Sequence, residues 1–490
     1  MNIVSLVQKR EGSAEDKDPP RVPLCVDLDG TLTRSDTLLE MLVLLIKQQP
    51  WSLFLLPIWL LGGKAHFKAE IARRVEFNAA SLPYQDELLE WLRSEHAAGR
   101  PIVLVSGANE RTVEAVSTYF GFFQETIASG KDRNMTGATK AATLVEKYGS
   151  FDYVGDAPVD VAVWKVAREA MLSARSKGQA NRLGKRISFS RVFENAPGSR
   201  LKLWVRALRL HQWVKNVLMF VPIVLAHQIF DLDKLSTLAM AFVAFNISAS
   251  SVYILNDLLD LAADRQHPRK KLRPFASGDL PIIQGLVAWP VLVGVGFGLA
   301  LYASPAFTLV LIGYYALTLA YSFDLKRRPL VDVFSLASLY TLRIIAGAVA
   351  ASVVLSPWLL GFSVFIFLSL AIVKRVAELH SVRERGLSDI AGRGYRLDDL
   401  IMLEMLGVAA GYASVVVLSL YVSAPESRAL YVHHQLLWLF APLVLFWISR
   451  VWLLTHRGEM HDDPIVFALK DAPSRIVGLL ALLVLEIAAL

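Results

Sequence analysis

Cysteine is almost absent: Cys25 is the only one in 490 residues, so no disulfide can form within the chain and a disulfide scaffold is excluded. Charge is scarce too, at 19% of residues against 54% hydrophobic, where soluble domains carry roughly a quarter charged residues. That balance argues against a wholly soluble protein. It also excludes intrinsic disorder, because this much apolar surface must be buried in a core or in lipid. The first residues lack a long apolar run and end in Pro19 and Pro20, so no secretory signal is expected.

The charge that is present lies unevenly. The net formal charge is +7, yet ten Lys and Arg face Glu194 alone between 173 and 210. Such a patch beside apolar spans suits an anionic membrane face, where each cation contributes on the order of 1 kcal/mol; nucleic acid is not expected as a partner.

Residues 21–172 alternate short apolar runs, VPLCVDLDG, PIVLVSG and FDYVGD, with helical stretches. Apolar runs that end in Gly or Asp before helices predict a parallel sheet with crossover helices, hence an α/β domain. Residues 1–20 are expected as a flexible tail, and 173–204, with Gly178, Gly184, Pro197 and Gly198 among basic residues, as a linker. From 205 to 490 the pattern becomes an all-α transmembrane bundle of about nine helices. The spans are expected near 216–231, 235–257, 283–302, 306–322, 331–352, 357–374, 401–421, 434–454 and 474–490. One alternate set of loops then holds eighteen Lys and Arg, and the other only Lys234 and Arg428. This asymmetry predicts an integral membrane protein with its α/β domain in the cytosol.

Two constellations carry chemistry. In the α/β half, Asp27-Leu28-Asp29-Gly30-Thr31 follows an apolar strand, which aims both carboxylates off the carboxyl edge of the sheet, where α/β proteins bind ligands. Two carboxylates so placed can hold Mg2+ while one attacks phosphorus and the other handles a proton. Alone, the string also fits an acidic turn. Ser106 ends the run IVLVS and can bind a phosphoryl oxygen. Lys140 lies where a cation could neutralise the phosphoryl group, with Lys131 as a rival, and Asp156 and Asp160 end another strand.

This order resembles the haloacid dehalogenase superfamily of aspartate-nucleophile phosphatases. The resemblance implies a Rossmann-like domain over 21–172 with a helical cap at about 36–95. It implies Asp27 as nucleophile, Asp29 as general acid/base, Ser106 and Lys140 as phosphate contacts, and Asp156 as a magnesium ligand supported by Asp160. The cap region contains LLEMLVLLI and WSLFLLPIWLL, each too short to span a bilayer. They form either the core of the cap or an apolar face that touches the membrane surface and admits a lipid-linked phosphate.

In the membrane half, Asn256-Asp257-Leu258-Leu259-Asp260 runs on to Asp264. Steps of three and four residues put Asp257, Asp260 and Asp264 on one helical face. Carboxylates at such depth must line a polar cavity or hold cations. Their spacing suits Mg2+, which bridges to a diphosphate and stabilises it as a leaving group. Lys270 and Arg273 follow in a basic loop, and Lys215, Lys326, Arg343, Lys374 and Arg375 lie at or near cytosolic span ends. Some of these cations act as positive-inside anchors, a reading that suffices for Arg327, Arg328 and Arg383. Arg343 lies deeper and is expected to need an anionic partner.

NDxxDxxxD followed by a basic loop resembles the signature of the UbiA superfamily of intramembrane prenyltransferases, over roughly 205–490. The strings HQWVKN, HPRKKLRPFASG, YSFDLKRRPLVDV, LRIIAGAVA and KRVAEL are similar to one branch, the polyprenyl-phosphate phosphoribosyltransferases. A second DxxxD cluster is missing, Asp324 and Asp332 being eight apart. The resemblance implies an enzyme of a bacterial inner membrane that joins phosphoribosyl diphosphate to a polyprenyl phosphate using Mg2+. Asn256, Lys215, Lys270, Arg273, Lys326, Asp332, Arg343, Lys374 and Arg375 would contact substrate, and the attached phosphatase would remove the 5-phosphate. Two alternatives stay open: an aromatic prenyltransferase whose phosphatase acts on prenyl phosphates, and a lipid-binding or translocating protein with a regulatory phosphatase-like domain.

Overall fold

A computed structural model describes residues 22–130, 134–194, 197–384, 386, 393–425, 430–460 and 463–490. The tail at 1–20, Lys131 and Arg428 lie outside the described residues. The chain forms two compact units, Met1–Ala207 with Asp257–Leu286, and Leu208–Asn256 with Val287–Leu490.

The first unit is built on a six-stranded sheet of order β3-β2-β1-β4-β5-β6, every pair parallel. The strands are β1 (Leu24–Val26), β2 (Ile102–Asn109), β3 (Glu125–Ser129), β4 (Asp152–Gly155), β5 (Ala170–Ala174) and β6 (Arg191–Glu194). The sheet is buried on both faces, so β1 reads as an unbroken apolar triplet rather than an alternation. Leu24, Val26, Leu104 and Val154 lie in one core layer; Cys25, Val103, Val105 and Tyr153 lie in the other. The connection from β1 runs to β2 on one side while β4 returns on the other. The end of β1 is therefore a topological switch point, the position at which an open α/β sheet leaves a crevice.

Residues 173–204, expected as a linker, instead carry the end of β5, a helix Lys177–Gly184, β6 and the start of a helix Arg200–Ala207. The Gly and Arg content misled because the burial is on the backbone strands themselves: β5 is buried throughout. Arg191 of β6 stacks its guanidinium 5.1 Å from the Trp91 ring and 4.8 Å from that of Phe193, apolar contact by a charged side chain. The cap is also shorter than 36–95. Thr37–Gln48, Pro50–Leu55, Leu56–Leu61 and Lys64–Arg74 share a small core of Met41, Leu45, Trp59, Ile71 and Val75. Asp86–Ala97 instead sends Leu88 and Leu92 into the core of the sheet.

The stretch 257–286 belongs to this unit. Arg265 donates from Nη2 to Glu40 Oε1 at 2.5 Å and from Nη1 to the Ser81 carbonyl at 2.9 Å, and Lys47 Nζ lies 3.3 Å from Asp260 Oδ1. Trp204 meets Phe275 edge-on, with ring centroids 6.4 Å apart.

The second unit is helical. Among the described residues eight helices are long and apolar enough to cross a membrane: Leu232–Leu259, Ile282–Ala303, Pro305–Phe323, Val331–Ala350, Pro357–Glu384, Leu397–Ser423, His434–His456 and Ala472–Ala489. This is an integral membrane protein. Six of the eight lie wholly in the second unit. The stretch expected as a first span at 216–231 is a 3-10 run, Leu210–Phe220, leading into the short helix Val221–Leu225. It departs from a plain span because Lys215 and Asn216 turn inward to polar partners, and His227, at a positive φ of 54°, ends it.

Candidate active sites

At the end of β1 the chain turns sharply through Gly30, whose φ of +78° favours glycine and where a Cβ would overlap the Asp156 carboxylate. That turn brings strand ends distant in sequence together. Lys140 Nζ donates to Asp27 Oδ1 at 2.9 Å and to the Tyr153 hydroxyl at 2.9 Å, and lies 3.6 Å from Asp160 Oδ1. Tyr153 in turn donates to Asp160 Oδ1 at 2.8 Å, and the amides of Asp156 and Ala157 donate to Asp160 Oδ2. Asp29 accepts from the Thr37 amide at 2.7 Å, which fixes its carboxylate at the foot of the cap. Ser106 is fully buried and its hydroxyl accepts from the Ala108 amide. Asp27, Asp29, Ser106, Lys140 and Asp156 line one cavity of about 530 Å³.

Too many acids share too little solvent here. Burial pushes Asp27 up to about 6, and Lys140 only partly offsets this. Burial and the neighbouring Asp36 push Asp29 up to about 7. Burial, together with Asp27 and Asp160, holds Asp156 well above the usual carboxylate range. Burial alone would lower Lys140, but Asp27 and Asp160 raise it, so it stays charged. The site thus wants another cation, and the donor set fits one: ligand oxygens of Asp27, Asp156 and Asp160 all lie within 4.8 Å of one another, a hard-oxygen set suited to Mg2+.

A raised carboxyl stabilises the fold fully below its unfolded value near 3.8, and that stability is lost as pH rises through about 6 for Asp27 and about 7 for Asp29. Added Mg2+ is therefore expected to raise the unfolding temperature of the purified protein more at pH 8 than at pH 5. Thermal melts followed by tryptophan fluorescence with and without Mg2+ at the two pH values measure it, and an equal shift at both would count against the metal assignment.

Residues the sequence did not flag also line the cavity. Lys68 of the cap donates to the Gly107 carbonyl at 2.6 Å, and burial lowers its pKa against the pull of Asp29 and Asp36. Arg34, Arg175 and Gln179 line it as well. Lys68 sits in the string HFKAE, with no spacing signal to mark it.

The aspartates at the second constellation do not share one face. The helix Leu232–Leu259 stops, Asp260 caps the next helix at φ −103° and ψ 13°, and Leu261–Gln266 restarts. Asp257 and Asp264, both buried, converge on Arg273, whose Nη1 lies 3.2 Å and 2.6 Å from their carboxylates. Asp260 turns instead toward Lys47. The break at Asp260 undoes the helical arithmetic, which assumed an unbroken helix. Asn256 is half-buried and Lys270 is exposed on the 3-10 turn Lys270–Leu272.

Within the second unit the expected substrate contacts are mostly tied up in ion pairs. Lys215 Nζ lies 2.7 Å and Lys374 Nζ 3.5 Å from the same Asp463 Oδ2. Asp332 is fully buried, 2.5 Å from Arg375 Nε and 3.2 Å from Arg393 Nη1, and accepts from the Tyr321 hydroxyl at 2.7 Å. Glu378 closes this network on Arg375 and Arg393. Arg343 has neutral partners rather than the anion expected for it. Its Nε donates to Asn216 Oδ1 at 2.7 Å and its Nη2 to the Tyr314 hydroxyl at 3.3 Å, while the Tyr340 ring centroid lies 5.1 Å from its guanidinium carbon. Lys326 is half-buried on the turn Leu325–Arg327. Asp463, missed from sequence, lies in the string HDDP; an acid pair directly before a proline between two apolar spans was the available signal.

Comparison with known proteins agrees with both halves. Residues 24–165 match the haloacid dehalogenase-like hydrolase family, and residues 217–470 match the UbiA prenyltransferase family. The chain is 38% identical over 464 residues to the uncharacterised protein y4nM of Sinorhizobium fredii, covering 94% of this chain and 90% of that one. It is 38% identical over 277 residues to the nodulation protein NoeC of Azorhizobium caulinodans, covering 56% of this chain and 89% of that one. It is 39% identical over 199 residues to a decaprenyl-phosphate phosphoribosyltransferase of Mycobacterium tuberculosis, covering 40% of this chain and 66% of that one. The protein is thus an integral membrane enzyme that belongs to the UbiA prenyltransferase family and carries a haloacid dehalogenase-like hydrolase domain at residues 24–165.

Proposed function

We propose that this enzyme transfers 5-phosphoribosyl from phosphoribosyl diphosphate to a polyprenyl phosphate, and that its hydrolase domain then removes the 5-phosphate. The observation that carries the reading is the trio Lys215, Lys374 and Asp463. Two ammonium groups share one carboxylate oxygen, so the trio keeps a net positive charge suited to a lipid phosphate. Pro464 and Ile465, next in sequence, line an apolar cavity of about 310 Å³ with Leu218, Val221, Ile344 and Phe362. Val221, Leu359 and Phe362 also line a second apolar cavity of about 630 Å³. A cationic head beside a long apolar path fits a single-chain lipid phosphate better than a soluble substrate. The similarity to decaprenyl-phosphate phosphoribosyltransferases points the same way.

In the transfer, a phosphate oxygen of the lipid attacks the anomeric carbon, the bond to diphosphate breaks, and inorganic diphosphate leaves. Asp257 and Asp264 already hold a cation between them in the Arg273 guanidinium. Mg2+ at the same carboxylates would neutralise the departing diphosphate. In the hydrolase domain Mg2+ on Asp27, Asp156 and Asp160 would screen the phosphoryl oxygens. There Asp27 attacks phosphorus and the ester bond breaks. Asp29, its carboxyl raised to about 7, gives its proton to the departing oxygen. Water then attacks the phosphoaspartate, releasing phosphate and regenerating Asp27. The side chain of Lys140 and the hydroxyl of Ser106 position the phosphoryl group.

Arg265 and Lys47 bind the loop after Asp257 to the α/β domain. The Lys and Arg asymmetry of the loops supports a cytosolic position for that loop and, with it, for the domain. The test is the identity of the labelled lipid made by purified protein with Mg2+. A ribosyl lipid from phosphoribosyl diphosphate and polyprenyl phosphate is expected. A product formed only from prenyl diphosphate and 4-hydroxybenzoate would replace this reading with aromatic prenylation, and no covalent product at all would leave lipid binding or translocation.

A further inference from the structure

The cavity over Asp27 is lined by Asp27, Asp29, Ser106 and Lys140, and also by apolar side chains: Leu39 of the cap and Leu280, Pro281, Ile282 and Ile283. These last four residues lie more than two hundred positions along the chain from Asp27. They join the aspartate loop to Ile282–Ala303, a helix of membrane-crossing length. The loop is pressed onto the domain. Gly278 has φ +78°, and a Cβ there would come within 2.7 Å of Arg34 Cβ; Arg34 Nη1 also lies 4.0 Å from Asp279 Oδ1. Leu280 and Ile282 are buried, while Ile283 remains 48% exposed at the mouth.

We propose that residues 278–283 are the specificity wall of the phosphatase pocket, and that the pocket takes a phosphate monoester anchored to a membrane lipid, whose apolar portion lies along Leu39 and Ile283. A soluble phosphate ester offers nothing for that wall to bury. Ile282 and Ile283 are themselves the first residues of a helix of membrane-crossing length. A separate feature of the cap agrees: Pro50–Leu61 is an apolar helix too short to span, and it exposes Trp51, Phe54, Ile58 and Leu61. An aromatic-rich face of that kind suits the interface of a bilayer. The inference rests on the phosphatase reading and adds to it the residues that select a lipid-linked ester.

The test compares butyl, geranyl and farnesyl phosphate as substrates of the full-length protein in nanodiscs, below the concentrations at which they form micelles. KM is expected to fall about tenfold from butyl to farnesyl phosphate, the effect of burying roughly one aliphatic group. In Ile283→Asn the ratio of kcat/KM for farnesyl over butyl phosphate is expected to fall about tenfold, carried by KM. Equal efficiency on all three esters, or an unchanged ratio in Ile283→Asn, overturns the wall while leaving a phosphatase. Hydrolysis of none of them overturns the wall as well, and hydrolysis of ribose 5-phosphate joined through C1 to farnesyl phosphate, in the same preparation, decides the phosphatase reading separately.

Discussion

Asp27→Asn is expected to abolish phosphate-ester hydrolysis, with a loss of roughly 10⁴-fold or more, because removing a nucleophile leaves only binding and electrostatic positioning. The amide keeps the side-chain shape and can still accept at the Oδ1 position facing Lys140, so the fold has little reason to move. With phosphoribosyl diphosphate and polyprenyl phosphate supplied together, the variant should then accumulate a lipid-linked ribose that keeps its 5-phosphate. The total of ribosylated lipid should match that of the wild type. Mass spectrometry separates the two lipids by one phosphate. A dephosphorylated product appearing as fast as in the wild type would show that the hydrolase domain acts on something else. The proposal that the two halves work in sequence would fall with it.

Asp257→Asn and Asp264→Asn are each expected to lower ribosyl transfer by about three orders of magnitude, the effect of losing several kcal/mol of charge stabilisation on a departing diphosphate. Both carboxylates are buried and aimed at one point, now held by Arg273. Asp260→Asn should cost distinctly less, because its carboxylate faces Lys47. Labelled lipid extracted from the purified variants measures all three, and hydrolysis of a simple phosphate ester in the same preparations controls for folding. If Asp260→Asn matched Asp257→Asn, the pairing of Asp257 with Asp264 alone would be the wrong assignment. Turnover that survives chelation would remove the metal from this step altogether.

Much of this was visible in one dimension, and the reason is physical. β1 and the first half of β2 are buried on both sides, so they read as the apolar runs LCV and IVLV that stop just short of Asp27 and Ser106. The apolar spans are equally plain, since a bilayer demands length and hydropathy of each helix separately. β3, β5 and β6 escaped because Ala, Ser, Thr and Arg fill them. β5 is buried by its neighbours rather than by its own composition, while β3 and β6, at the two edges of the sheet, are only partly covered. The polar residues of HQWVKN looked like a span end, but Lys215 and Asn216 are buried and spend their polarity on Asp463, Asn246 and Arg343.

The sequence alone determined where the two candidate sites lie: an acidic strand end, and a run of aspartates beside cations at the end of an apolar helix. It could do so because each depends on residues near one another along the chain. Only the tertiary structure decided that Asp260 parts from Asp257 and Asp264, and that Lys215 and Lys374 share one acid. It also placed the stretch 278–283 in the wall of the phosphatase cavity. Those outcomes depend on a helix break and on contacts across hundreds of residues, where charge and close packing choose among partners that no local pattern ranks.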